Sequence, residues 1–137
     1  MVYVDASALA KLFRHEPESE ALTRFFESPS LLASTLIVRV EVLRALRRAD
    51  TAEVLLSRAR ALLDRINLRR PSDEILTRAA EITPRPLRTL DAIHLATALD
   101  LSPPPDFFVC YDLRLAEAAR AHGLAVVAPG LDEVDEP

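Results

Sequence analysis

The sequence lacks the features that mark exported and membrane-bound proteins. It has a single cysteine, Cys110, which excludes an internal disulfide and is typical of proteins in a reducing compartment. Its first residues show no basic segment followed by a long apolar core, so we expect no signal peptide. No apolar run approaches the roughly 20 residues of a membrane-spanning helix. We therefore expect a soluble, cytoplasmic protein that makes no membrane contact.

Lysine is also nearly missing, because Lys11 is the only one. The formal net charge of −4 argues against nucleic-acid binding through an overall basic surface. The charge is uneven, however, since arginines concentrate between residues 39 and 70 and acids in the C-terminal tail. The arginines of this stretch are Arg39, Arg44, Arg47, Arg48, Arg58, Arg60, Arg65, Arg69 and Arg70, and the tail acids are Asp132, Glu133, Asp135 and Glu136. Guanidinium groups suit phosphate contacts, but a solvated helix face or a compositional bias explains the same arginines.

Short apolar runs alternate with helical patterns along the chain. We interpret five of them as strands, at residues 2–4, 31–33, 66–70, 107–110 and 124–127. These runs are continuously apolar, which is typical of parallel strands that are covered on both faces. The pattern predicts a three-layer α/β/α fold with a central parallel sheet of about five short strands. With 137 residues, half of them apolar, we expect residues 1–137 to form one domain.

Helix boundaries are predicted from hydroxyl residues, proline and glycine. Four hydroxyl residues are candidate N-caps, namely Thr35, Thr51, Ser72 and Thr89. Pro29 is expected to end the second helix, and Gly123 to end the helix over residues 113–122.

Four acidic residues, Asp5, Glu41, Asp91 and Asp112, stand at positions that a functional site would use. Asp5 and Asp112 each directly follow an apolar strand, and ligands of open α/β sheets bind beyond the carboxyl ends of the strands. Glu41 and Asp91 lie on predicted helices that are placed to lean over the same edge. Structural roles are open for three of these acids, because Asp5 and Asp112 are good helix N-caps and Asp91 complements a helix dipole, although the cap role is less favoured for Asp5.

Convergence of these four acids would require a counter-charge. Two carboxylates about 4 Å apart repel by roughly 4 kcal/mol at an effective dielectric constant of about 20, and a domain has only about 5–15 kcal/mol of net stability. Carboxylate oxygens suit Mg²⁺ or Mn²⁺, and the absence of clustered His and Cys argues against zinc. Such a cation lowers the pKa of a bound water and neutralises a phosphoryl oxygen, which is the chemistry of phosphodiester hydrolysis.

Two further side chains have candidate chemical roles. His94 lies one helical turn after Asp91 and is either a ligand or base of the site or, as we favour, a hydrogen-bonded core histidine. Cys110 belongs to a predicted buried strand, which favours packing over reactivity.

The segments around the four acids resemble those of PIN-domain nucleases. The resemblance is carried by residues 2–12, 41–45, 90–98 and 110–119, which follow the order and spacing of that family over essentially the whole chain. The particular likeness is to the VapC-type toxins of bacterial toxin–antitoxin pairs. One departure is Cys110, which stands where the family usually has Thr or Ser two residues before the fourth acid.

The resemblance implies a PIN-like fold and a Mg²⁺- or Mn²⁺-dependent endoribonuclease that acts as a toxin. Asp5, Glu41, Asp91 and Asp112 match the family's four catalytic, metal-binding acids, and Ser7 matches a hydroxyl residue that supports the first acid. It also implies an RNA substrate, a cognate antitoxin and a homodimer.

Two other functions remain as alternatives. A non-catalytic PIN-like module that binds RNA or an antitoxin would keep the fold and lose the metal chemistry, and only Cys110 favours it. A phosphoryl-accepting receiver domain also uses acids at strand ends. That class has an early pair of adjacent acids and a late lysine, whereas this sequence has only Asp5 early and no late lysine.

Overall fold

The computed structural model of the protein describes residues 1–28 and 30–131. The helix break expected at Pro29 and the acidic tail of Asp132, Glu133, Asp135 and Glu136 lie outside the described residues.

Short strands alternate with helices along the described chain, as the apolar pattern predicts. The strands are β1 Val2–Val4, β2 Leu32–Thr35, β3 Asn67–Arg69, β4 Phe107–Val109 and β5 Val126–Val127. The helices are α1 Ala6–Lys11, α2 Ser19–Phe26, α3 Val38–Arg48, α4 Glu53–Leu63, α5 Asp73–Glu81, α6 Thr89–Asp100 and α7 Leu113–Ala121.

The five strands form one parallel sheet in the order β3-β2-β1-β4-β5. The prediction of a parallel sheet of five short strands is therefore confirmed. Strand β1 lies at the centre, with Val4 paired to Val109 of β4 and Tyr3 paired to Ala33 of β2. Because all strands run the same way, their carboxyl ends meet at one edge of the sheet.

Helices cover both faces of the sheet, which confirms the three-layer prediction. Tyr3 and Phe108 face one side, where their rings stack with centroids 5.1 Å apart beneath α5, α6 and α7. Val2 and Val4 face the other side and pack in a second cluster with apolar residues of α1, α2, α3 and α4. The alternating faces of β1 thus place the strand between two separate cores.

The hydroxyl residues predict one N-cap of four correctly. Ser72 caps α5, since its hydroxyl accepts from the backbone N–H of Ile75 at 3.1 Å. Thr35 is instead the last residue of β2, where it pairs with Arg69, so pairing with β3 overrides its capping preference. The predictions for Thr51 and Thr89 are also wrong, because α4 begins after Ala52 and Thr89 is already inside α6.

The prediction that Gly123 ends a helix agrees with the structure. Helix α7 ends before Gly123, whose φ of +89° is the left-handed conformation that glycine tolerates.

None of the helices in residues 1–28 and 30–131 has the length and apolarity needed to cross a bilayer.

Candidate active site

The carboxyl ends of β1 and β4 bring Asp5 and Asp112 to the same edge of the sheet. The backbone N–H of Asp5 donates to the carbonyl oxygen of Val109 at 3.2 Å, so the two strands remain paired up to this point. Asp112 follows three residues later, after Cys110 and Tyr111. The parallel pairing of β1 and β4 therefore brings Asp5 and Asp112 to the same place, as their positions after two strands predict.

Asp5 is both a helix cap and a buried acid of this edge. Its Oδ1 atom accepts from the backbone N–H of Ala8 at 3.0 Å and caps α1. The hydroxyl of Ser7 donates to the same carboxylate, at 2.8 Å from Oδ1 and 2.9 Å from Oδ2. Only 3% of Asp5 is exposed. The capping role is thus real, but it places the carboxylate at the sheet edge and excludes no further role.

Asp112 also caps a helix. Its Oδ1 atom accepts from the backbone N–H of Leu115 at 2.9 Å, at the start of α7. The thiol of Cys110 donates to the backbone carbonyl of Asp112 at 3.4 Å, so it contacts the main chain of this residue. The same thiol lies close enough to Asp5 to help lower the pKa of that carboxyl. Cys110 is therefore placed to support the first acid.

Glu41 and Asp91 reach the same edge from the first turns of two helices. Glu41 lies in the first turn of α3, and Asp91 lies in the first turn of α6. The Oε1 atom of Glu41 is 2.8 Å from Nε2 of His94, which itself belongs to α6. This contact ties α3 to α6 beside the carboxyl end of β1.

All four acids line one open cleft of about 810 Å³, which we call the acidic cleft. Its wall also includes Ser7, His94 and four arginines. The cleft is lined by Asp5, Ala6, Ser7, Ala10, Arg14, Glu16, Val40, Glu41, Arg44, Ala45, Arg48, Arg88, Thr89, Leu90, Asp91, His94 and Asp112. The structure therefore brings together every acid that the sequence singles out.

Burial raises the pKa of Asp5, and burial together with repulsion from the other acids raises the pKa of Asp91. Burial is the main cause for Asp5, and the nearby His94 and the hydrogen bonds from Ala8 and Ser7 partly offset the increase in its pKa. Burial is again the main cause for Asp91, where the negative charges of Asp112, Asp5 and Glu41 raise the pKa further and His94 opposes them. Two carboxylates that resist ionisation in one cleft favour a bound cation.

The donor set fits a hard divalent cation, although its side chains are not already closed around one. Within residues 1–28 and 30–131, no group of three His, Cys, Asp or Glu side chains has the arrangement of a ready metal site. The hydrogen bonds of Glu41 and Asp112 each use one carboxylate oxygen, Oε1 and Oδ1 respectively. Carboxylate oxygens are the donors that Mg²⁺ and Mn²⁺ prefer, so the residues present suit such a cation.

The structure divides the arginine-rich stretch between the cleft and the outer surface. Arg44 and Arg48, one turn apart on α3, line the acidic cleft, as does Arg88. Among the described residues, these three guanidinium groups have no carboxylate within salt-bridge distance. Arg39, in contrast, contacts Asp64 at 3.4 Å, and Arg69 contacts Asp100 at 3.9 Å. The structure therefore places some of these arginines in the acidic cleft and others in ion pairs on the outer surface.

His94 is a buried, hydrogen-bonded histidine that also borders the site. Only 1% of it is exposed, and Nδ1 lies 2.8 Å from the hydroxyl of Tyr3. The core interpretation is thus supported by its burial, and the contact with Glu41 adds a role that sequence reasoning missed. The available signal was its spacing of three residues from Asp91, which places both on one side of α6.

Sequence comparison identifies the family to which these residues belong. Residues 2–121 match the PIN domain family. The chain is 41% identical over 128 residues to Ribonuclease VapC46 of Mycobacterium tuberculosis, covering 93% of this chain and 97% of that protein. It is 40% identical over 136 residues to Ribonuclease VapC35 of the same organism, covering 95% and 98%.

Solved structures share the same fold. The crystal structure of VapC20 from Mycobacterium tuberculosis, a sarcin–ricin loop cleaving toxin, aligns with a TM-score of 0.75 at 18% identity, covering 94% of this chain and all of that one. A toxin–antitoxin complex from Klebsiella pneumoniae aligns with a TM-score of 0.68 at 25% identity, covering 94% and 98%. The family match over residues 2–121 and the relatives at 40–41% identity show that the chain belongs to the PIN-domain family and, within it, to the VapC-type ribonucleases.

Proposed function

We propose that the chain is an endoribonuclease that uses Mg²⁺ or Mn²⁺ to hydrolyse RNA phosphodiester bonds, and that it acts as the toxin of a toxin–antitoxin pair. The nuclease activity is supported by relatives named as ribonucleases that are 36–41% identical over nearly their whole length. The observation that carries the metal dependence is the acidic cleft, in which Asp5, Glu41, Asp91 and Asp112 share one cavity.

In this proposal the four acids divide the work of holding the cation. Asp5 and Asp91 bind most directly, because their burial and mutual repulsion leave them most in need of a counter-charge. Glu41 and Asp112 would complete the set of oxygen donors for the cation and orient the attacking water. A divalent cation would lower the pKa of that water and neutralise charge on the phosphoryl oxygen. No side chain is then required as the nucleophile.

The protein's own groups position the reacting phosphate. The Ser7 hydroxyl donates to the Asp5 carboxylate, at 2.8 Å and 2.9 Å from its two oxygens, which limits rotation of that carboxylate. The guanidinium groups of Arg44, Arg48 and Arg88 lie in the same cleft and suit backbone phosphates on either side of the scissile bond. A chain with a net charge of −4 could thus bind RNA through local rather than overall charge.

The biological partners belong to the same proposal. The similar structure from Klebsiella pneumoniae is a toxin–antitoxin complex. This similarity supports a cognate antitoxin for this chain. We also propose that residues 1–137 form a single domain and that the protein is a homodimer. A cytoplasmic location is consistent with the buried free thiol of Cys110.

RNA cleavage by the purified, partner-free protein tests this proposal. We expect cleavage with Mn²⁺ or Mg²⁺ and none with EDTA, while Asp91→Asn protein purified in parallel stays inactive and controls for contaminating ribonuclease. Intact RNA in the presence of either metal and folded wild-type protein would refute the nuclease and leave the non-catalytic binding module. Cleavage that persists in EDTA would refute the metal dependence alone.

A further inference from the structure

A buried hydrogen-bond chain leads from the core of the sheet to the acidic cleft. The Tyr3 hydroxyl lies 2.8 Å from Nδ1 of His94, and Nε2 of His94 lies 2.8 Å from Oε1 of Glu41. Tyr3 and His94 are almost fully buried, whereas 20% of the Glu41 side chain is exposed. The three residues come from β1, α6 and α3, so the chain links three separate elements.

The chemistry of the three groups gives this chain one direction. A carboxylate accepts hydrogen bonds only, so Nε2 of His94 carries a proton and donates it to Glu41. In the neutral imidazole Nδ1 is then an acceptor, and the Tyr3 hydroxyl donates to it. The Glu41 carboxylate thereby selects the Nε2–H tautomer of His94, and the Tyr3 hydroxyl, which can donate or accept, completes the chain by donating to Nδ1.

The two inner members are held rigidly. The Tyr3 ring stacks on Phe108 with an interplanar angle of 4°, and its edge meets the His94 ring at 5.9 Å and 85°. Glu41 has three rotatable side-chain bonds and stands at the edge of the cleft, so it has the most freedom to lose. A fixed donor at 2.8 Å restricts that freedom.

From this geometry we infer that His94 is a positioning residue for the reaction, which holds the Glu41 carboxylate in its working orientation, and that Tyr3 fixes His94 in turn. The inference rests on the proposed function, because it concerns Glu41 as one of the acids that hold the cation. Groups that orient a metal-binding side chain typically contribute about 10- to 100-fold to metal affinity or activity.

Two amide substitutions at position 94 separate positioning from simple packing. The amide nitrogen of Gln in His94→Gln can take the place of Nε2 and still donate to Glu41. The shorter side chain of His94→Asn places its amide near Nδ1, which keeps the contact with Tyr3 and loses the contact with Glu41. Both variants remove the imidazole from the same buried position, so a purely structural role should affect both alike.

We expect His94→Asn to weaken Mn²⁺ binding, measured by calorimetry with the metal alone, by about 10-fold or more, and to lower kcat on a short RNA by a similar factor. His94→Gln should keep both quantities within about threefold of wild type, and KM should change little in either variant. His122→Asn, which alters a histidine bonded to the carbonyl of Thr83, serves as the matched control and should behave as wild type.

Tyr3→Phe tests the inner end of the chain without touching Glu41 or the cleft. It removes only the hydroxyl and keeps the stacked ring, so we expect a loss of Mn²⁺ affinity of about fivefold, the effect of one hydrogen bond. Nitrogen-15 NMR of the metal-free protein should show the Nε2–H tautomer of His94 in wild type and in Tyr3→Phe, with the Nδ1 resonance shifted in the variant because Nδ1 loses its donor. This variant also keeps the inference testable if His94→Asn does not fold.

The outcomes distinguish this inference from the proposed function. Wild-type protein that neither binds Mn²⁺ nor cleaves RNA would overturn both. Wild-type protein that does both, with folded His94→Asn and Tyr3→Phe variants equal to it, would overturn the role of His94 alone. Equal losses in His94→Gln and His94→Asn would also overturn it, because they would indicate packing rather than a donor to Glu41.

Discussion

Replacement of Asp5 separates the two roles that the structure gives to one carboxylate. Asp5→Asn keeps an oxygen that can accept from the backbone N–H of Ala8 and removes the buried charge, whereas Asp5→Ala removes both. In the absence of metal and at neutral pH, we expect Asp5→Asn to raise the free energy of unfolding above that of wild type. The reason is that burial, together with neighbouring acids, disfavours the ionised form.

The helix cap determines the expected difference in the free energy of unfolding between Asp5→Asn and Asp5→Ala. Loss of an N-cap acceptor costs about 0.5–2 kcal/mol, typically about 1, and asparagine caps about as well as aspartate. Asp5→Ala should therefore be about 1 kcal/mol less stable than Asp5→Asn, which corresponds to a Tm lower by roughly 4 °C in a domain of this size. Both variants should lose RNA cleavage, since neither has a charged oxygen at this position.

The effect of Asp5→Asn also depends on pH in a defined direction. The pKa of Asp5 is raised above its ordinary value of 3.8, so the native state binds the proton more tightly than the unfolded chain does. The wild type therefore gains stability relative to Asp5→Asn as the pH falls through the raised native pKa, and the gain levels off below the unfolded value. The difference between the two proteins should be largest near neutral pH.

Urea unfolding with EDTA, followed by circular dichroism at neutral pH and near pH 4, measures these quantities. Asp73→Asn, an exposed acid in the first turn of α5, is the matched control and should stay within about 0.5 kcal/mol of wild type. If Asp5→Asn is less stable than wild type by more than about 1 kcal/mol at neutral pH, the charge of Asp5 stabilises the metal-free fold and our reasoning about repulsion is wrong.

Two further predictions concern the arginines and the thiol. The double variant Arg44→Gln and Arg48→Gln should raise KM for RNA and reduce the slope of log affinity against log salt by roughly 0.7 for each charge. The control pair Arg58→Gln and Arg60→Gln on α4 should leave this slope unchanged. Equal effects of the two pairs would show that Arg44 and Arg48 make no special contact with RNA. Burial raises the pKa of Cys110 far above its ordinary value, so iodoacetamide at mildly alkaline pH should modify the thiol only after unfolding, and rapid labelling of the native protein would contradict its buried placement.

The sequence by itself determined the parallel three-layer fold and the four acids. Apolar runs without alternation require cover on both faces, and Asp5 and Asp112 directly follow two such runs. Parallel strands have their carboxyl ends at one edge, so the meeting of these acids follows from the chain pattern alone. Local capping was less predictable, and Thr35 shows why: pairing with β3 extends β2 through a residue that would otherwise start a helix.

Only the tertiary structure decided which residues serve the site beside the acids. Arg44 and Arg39 look alike in sequence, yet one lines the acidic cleft and the other contacts Asp64, because the two point to different sides of α3. The contact of His94 with Glu41 joins residues 53 positions apart. Sequence spacing identifies neighbours within one helix or strand, whereas contacts between elements depend on how the helices pack across the sheet, and that packing exists only in the folded chain.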